Sequence, residues 1–243
     1  MTKIIIKSIP TFITCMNLAC GAVATIMALK GETAIAVYLI IAAAVFDFFD
    51  GFVARLVNAM SEFGKQIDSL ADVISFGFAP SVMLYYLIES NAILPGYFPL
   101  IALLIVIFAA LRLAKFNIDP EQSVEFRGLP TPAATLFIIS ICWYCSLYSN
   151  SITDFIKNEY VIILIILCIS SLMVSRIKLF SLKIKSFNLK SNIWQITLIA
   201  GSIILLIIFK ILGLAFIIIL YLGLSILKQL ISKNKQNEIH CSN

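Results

Sequence analysis

Charge is scarce in this chain of 243 residues. Asp, Glu, Lys and Arg make up 13% of it against 61% hydrophobic residues, and mean hydropathy is +1.03. Soluble globular domains carry about 25% charged residues, so a water-facing fold is excluded. Histidine occurs once, as His240 near the polar C-terminal end, which excludes covalent catalysis through a histidine. The six cysteines are scattered. Cys142 and Cys145 match C-x-x-C, but they lie inside an apolar run with no βαβ context and read as small apolar filler. No polar stretch is long enough to build its own core, and there is no internal repeat or low-complexity tract. A single domain over 1–231 is expected, followed by a polar tail over 232–243. Gly/Pro-broken helices in paired repeats, the pattern of secondary transporters, are also missing. The net charge of +5 needs no nucleic-acid partner.

What the chain does have is apolar runs of near-spanning length. They fall at about 11–30, 34–57, 67–88, 98–115, 131–149, 159–175, 193–210 and 211–230. An all-α polytopic membrane bundle of about eight transmembrane helices is therefore expected. The first run reads as a retained span rather than a cleaved signal. With the N-terminus inside, fifteen of the eighteen basic residues fall on the cytoplasmic side. The positive-inside bias thus predicts cytoplasmic N- and C-termini in a cytoplasmic (inner) membrane.

Against this background four carboxylates stand out: Asp47, Asp50, Asp68 and Asp72. An Asp at the centre of a membrane helix costs about 2.5–3.5 kcal/mol on insertion scales, so a cation is expected to meet them. Asp47, Asp50 and Ala54 are spaced i, i+3, i+7, and Asp68 and Asp72 are i, i+4. Each set shares one helical face. A short connection predicts an antiparallel pair with the two acidic rows facing each other. All-oxygen ligands suit a hard divalent cation, Mg²⁺ or Mn²⁺, bound together with substrate phosphates. An intramembrane salt-bridge network with Arg55 and Lys65, and the ion site of a cation transporter, are the alternatives.

The full pattern is D-x2-D-G-x2-A-R-x8-G-x3-D-x3-D, carried by Asp47, Asp50, Gly51, Ala54, Arg55, Gly64, Asp68 and Asp72. It resembles the signature of the CDP-alcohol phosphatidyltransferases at every fixed position. The resemblance implies transfer of a phosphatidyl group from a CDP-linked lipid to an alcohol, assisted by two metal ions, with release of CMP. It implies metal ligation by Asp47, Asp50, Asp68 and Asp72, with Asp72 also the general base. Gly51 and Ala54 keep the helix face shallow for the nucleotide, Arg55 grips the diphosphate, and Gly64 opens room at the next helix. Residues 10–21 resemble the family's first helix, with Thr11 where Asn is usual. There Thr14 and Asn17, at i and i+3, either contact the CDP moiety or make helix–helix hydrogen bonds.

The segment from Asp68 to Ser81, the stretch Arg112-Leu113-Ala114-Lys115-Phe116-Asn117, and the turn 126–132 resemble the phosphatidylserine synthase branch of that family. Lys115 stands there in place of Arg. This implies CDP-diacylglycerol and L-serine as substrates, and a homodimer in the membrane. A serine carboxylate requires a cation, and Arg112, Lys115, Asn117 and Arg127 are the candidates. Arg112 and Lys115 are i, i+3, so one helical face is expected to present both. Glycerol 3-phosphate or inositol phosphate as acceptor is the alternative within the same fold, and those acceptors should require a denser basic cluster.

Overall fold

The computed structural model describes residues 2–91, 96–118, 128–180 and 192–241. Arg127 lies outside the described residues. Among the described residues ten α-helices follow in order: α1 Thr2–Leu29, α2 Thr33–Leu56, α3 Glu62–Asp72, α4 Ala79–Asn91 and α5 Leu104–Ile118. After them come α6 Thr131–Leu147, α7 Ser151–Lys157, α8 Glu159–Val174, α9 Ile193–Phe209 and α10 Gly213–Cys241. The chain is a polytopic helical membrane protein, as its composition demanded.

The helices correspond to the expected spans with three refinements. The third span is compound: α3 runs into a π-helical segment, Val73–Phe78, and then α4, giving one continuous 30-residue stretch. The sixth is a bent pair, α7 and α8, which meet at 66°. At its start Asn150 caps α7 by accepting from the amides of Ile152 and Thr153. The apolar stretch Ile193–Ile231 has 39 residues, about twice what a bilayer needs. It folds back at Lys210, whose φ is +49°, so Gly201 packs against the Leu220 side chain and Phe209 against Phe216 at 4.6 Å. Beyond this hairpin α10 continues as helix through Cys241, into the segment expected as a polar tail.

One apolar core joins α1, α2, α4, α5, α6 and α8, with Ile40, Phe76, Ile105, Ile138 and Ile166 fully buried in it. Large exposed residues such as Ile35, Tyr38, Ile203 and Ile207 turn outward, as a lipid solvent permits.

Close approach of α1 to the π-helical segment aligns the functional end. A Cβ on Gly21 would sit 2.2 Å from Ser75 Oγ and 2.6 Å from its Cα, so only glycine fits. There Ser75 Oγ donates to the Asn17 carbonyl at 3.0 Å. Small residues that bring backbones together are the usual adhesive of membrane helices. Overpacking of this kind costs about 1–3 kcal/mol. Gly21→Ala is therefore expected to lower the melting temperature in detergent by several degrees, as read by thermal-shift fluorescence. An unchanged melting temperature would show that α1 slides freely, contrary to this packing.

Candidate active site at one end of the bundle

Alternating helix direction gathers five chain segments at one end. They are the first half of α1, the end of α2, α3, the end of α5 and the start of α6. The eight-residue spacer of the acidic motif makes the first turn of this assembly. Helix α2 stops at Leu56, Asn58 takes φ +49°, and Ser61 caps α3 by accepting from the Gly64 amide at 3.0 Å. Gly64 is thus the third residue of α3, where a Cβ would meet the Ser61 hydroxyl at 3.2 Å.

The hairpin brings the acidic rows together. One carboxylate oxygen each from Asp47, Asp50 and Asp68 lie within 4.8 Å of one another. Asp47 is also within hydrogen-bonding reach of both Asp68 and Asp72. Asp50 is buried, and the Asp68 Oδ1 atom is buried without a hydrogen-bond partner. The salt-bridge alternative fails on the positions of its two cations. Arg55 Nε donates to its own helix, to the Gly51 carbonyl at 2.9 Å, and Lys65 Nζ donates to the Asn117 carbonyl at 3.2 Å. Converging carboxylates with an orphaned oxygen fit a hard divalent cation, whose charge would remove the repulsion among them.

Helix α1 orients two of these acids. Thr14 Oγ1 donates to Asp50 Oδ2 at 2.6 Å and lies 3.0 Å from the Pro10 carbonyl. A hydroxyl has one proton, and the shorter, charge-assisted bond to the carboxylate is the stronger. Asn17 Nδ2 donates to Asp72 Oδ1 at 3.5 Å, while its own Oδ1 is buried and unpartnered. Thr14 and Asn17 therefore make helix–helix hydrogen bonds whose partners are the acids. Gly51 and Ala54 lie half-buried on α2. A Cβ on Gly51 would meet only the Arg55 side chain, at 3.7 Å, so that face is open.

Residues of α5 separate more than their spacing implied. Arg112 is 9% exposed, whereas Lys115, near the end of α5, is exposed. The reason is packing: α5 is wedged against the π-helical segment and α8, and only the Arg112 side faces inward. Arg112 lies close enough to Asp72 for direct electrostatic attraction. Its Nη1 donates to Thr131 Oγ1 at 2.7 Å, and its Nε is buried without a partner. Asn117 Nδ2 donates to Ser69 Oγ at 2.7 Å, so Asn117 ties the end of α5 to α3.

The π-helical turn directly after Asp72 was not foreseen. Such turns are often found at functional sites. The widened turn leaves the Phe76 carbonyl to accept from Thr135 Oγ1 at 2.6 Å, linking α6 to the acid-bearing helix. Ser75 and Thr131 fall within the stretches that resemble the phosphatidylserine synthase branch, but for Thr135 a small polar residue in an apolar run was the signal the sequence offered. Beside the acids an apolar groove of about 330 Å³ runs between α2 and α6, lined by Ile40, Phe48, Phe49, Phe76, Leu136 and Ile139 among others.

Comparison with known proteins places this geometry. The family described as CDP-alcohol phosphatidyltransferase matches residues 7–174. A CDP-diacylglycerol--serine O-phosphatidyltransferase of Helicobacter pylori (strain ATCC 700392 / 26695) is 36% identical over 184 residues, 74% of this chain and 75% of that one. One of the same name from Bacillus subtilis (strain 168) is 35% identical, covering 77% of this chain and 98% of its own. An archaetidylserine synthase of Methanothermobacter thermautotrophicus is 34% identical over 65% of this chain and 67% of its own. The matched region contains all four acids, the Gly21–Ser75 contact and Arg112; this chain belongs to the CDP-alcohol phosphatidyltransferase family.

Proposed function

We propose that this protein transfers a phosphatidyl group from CDP-diacylglycerol to the hydroxyl of L-serine, yielding phosphatidylserine and CMP. The observation that carries the reading is a buried Arg112 that feels the charge of Asp72, near an acidic cluster with which no described Lys or Arg forms an ion pair. The names of the relatives support the same substrates. Asp47, Asp50 and Asp68, with Asp72 at their margin, would hold Mg²⁺ or Mn²⁺, two ions in this reading. Bound there, the metal supplies positive charge to the diphosphate and to the phosphoryl group in transfer.

The chain's own groups supply the rest. Asp72 accepts the proton of the serine hydroxyl as that oxygen bonds to phosphorus and the bond from phosphorus to the CMP oxygen breaks. Thr14 and Asn17 hold Asp50 and Asp72 in place from α1, and reach the CDP moiety from the same face. Gly51, Ala54 and Gly64 leave space for the nucleotide against α2 and α3. Arg55 turns its outer guanidinium nitrogens to the diphosphate while Nε stays on the Gly51 carbonyl. The apolar groove beginning at Phe48 and Phe49 takes an acyl chain, since its mouth adjoins the acids that hold the headgroup.

Serine's carboxylate and hydroxyl are only a few bonds apart, so the cation that binds the carboxylate must adjoin the base. Arg112, buried and within electrostatic range of Asp72, is the cation assigned to this role. Asn117, Lys115 and Arg127 would line the approach farther out. Residues 1–231 act as one domain, as a homodimer in the cytoplasmic membrane with this end facing the cytoplasm; the distribution of Lys and Arg supports that orientation.

The test is CMP release by purified protein given CDP-diacylglycerol, Mn²⁺ or Mg²⁺, and serine, glycerol 3-phosphate or inositol phosphate. Serine should be used best, and preference for glycerol 3-phosphate would overturn the assignment. A buried charge-assisted hydrogen bond contributes about 1.5–3 kcal/mol. In the same assay Arg112→Ala should raise KM for serine about tenfold or more, while KM for CDP-diacylglycerol moves little. Arg55→Ala should do the reverse.

A further inference from the structure

Arg112 is placed against an electrostatic preference. Its Nη1 meets Thr131, the first residue of α6, and a helix N-terminus carries partial positive charge that repels a cation. The first turn of α6 also has amides without intrahelical acceptors. A buried guanidinium whose Nε has no hydrogen-bond partner, at such a helix end and within range of Asp72, still has donor capacity for an anion. The backbone around it is anchored. Gly128 has φ +75°, and a Cβ there would lie 2.5 Å from the Met173 carbonyl oxygen. The Gly128 amide donates to the Ile177 carbonyl and that of Leu129 to the Leu172 carbonyl, both at 2.9 Å. Leu129 is fully buried, and Pro130, at the N-cap position of α6, accepts from the Ala134 amide at 3.0 Å through its carbonyl. The start of α6 is thus pinned to the end of α8, and Thr131, itself fully buried, is a rigid post.

We infer that Thr131 is a positioning residue: it holds the Arg112 guanidinium at the N-terminus of α6 so that the two together form the subsite for the acceptor's carboxylate. The inference rests on the serine reading above and adds Thr131 and the α6 terminus to it. An arginine side chain has four rotatable bonds. With Nη1 fastened, the remaining N–H groups keep one direction, and the carboxylate is attracted by guanidinium and helix end at once. Thr131 touches no reacting atom and acts only through Arg112.

The experiment compares Thr131→Val, which keeps shape and removes the acceptor, with Thr131→Ser, which keeps the hydroxyl. Each is assayed with serine and with serinamide, which retains hydroxyl and ammonium but has no carboxylate; serinamide is followed as substrate or as competitive inhibitor. Thr131→Val should lower kcat/KM for serine about tenfold, mainly through KM. Serinamide and CDP-diacylglycerol should stay within about twofold, and Thr131→Ser should restore serine to within about twofold. In an Arg112→Ala background Thr131→Val should have no further effect. Equal losses for serine and serinamide, or no change in either, would overturn the inference. If Arg112→Ala moves KM for serine and Thr131→Val does not, Thr131 alone is refuted. If Arg112→Ala has no effect, the carboxylate assignment falls with it. Should the valine variant not fold, Thr131→Ala, which leaves room for a water but no fixed acceptor, is subject to the same outcomes.

Discussion

Asp50→Ala is expected to abolish turnover without unfolding the protein. Asp50 is 6% exposed, and its carboxylate converges with those of Asp47 and Asp68. Deleting it removes one of the few charged ligands a divalent ion would find there, while the remaining acids still require neutralisation. Its hydrogen-bond donor is not stranded, because Thr14 Oγ1 lies 3.0 Å from the Pro10 carbonyl and can turn to it. The melting temperature in detergent should therefore change little while CMP release vanishes. Asp68→Ala should behave alike. EDTA should reproduce both losses on the unaltered protein, and added Mn²⁺ or Mg²⁺ should reverse it. Calorimetric titration should show metal binding weakened in each variant. Full activity in chelator would remove the metal from the reaction and leave the acidic cluster unexplained.

Asp72→Asn separates the base from the ligands. The substitution preserves size and an acceptor oxygen, so the hydrogen bond from Asn17 Nδ2 can persist and α1 stays docked. An amide cannot take the serine proton. General-base catalysis contributes typically 10²–10⁴-fold, so kcat should fall by about 10²-fold or more with binding of CDP-diacylglycerol retained. Single-turnover measurement with saturating CDP-lipid reads the chemical step directly. Matching losses of binding and rate would instead make Asp72 a ligand alone, and the proton would have to leave by another route.

Much of this was legible from the chain because it is encoded locally. Hydrophobic run length determines spanning helices in a solvent that cannot hydrogen-bond the backbone. The i, i+3 and i, i+4 spacing of the acids determines that each pair shares a helix face. The short spacer before Gly64 determines that those faces meet, and four carboxylates beside two cations leave a deficit of positive charge. None of these steps needs to know how the helices pack.

Packing decided the rest. Spacing places Arg112 and Lys115 one turn apart, but only the rotation of α5 about its axis, set by its neighbours, buries one and exposes the other. Thr14 and Asn17 share a face by spacing, but only the close packing of α1 at Gly21 and Ser75 makes Asp50 and Asp72 their hydrogen-bond partners. The widened turn after Asp72, and the post that Thr131 makes for Arg112, join residues 19 to 59 positions apart. Such pairings depend on helix rotation and register, which side-chain interdigitation fixes across the whole bundle. A sequence read one helix at a time specifies the acidic site; that Arg112 is buried near it, and that Thr131 accepts a hydrogen bond from Arg112, follows only from the assembled structure.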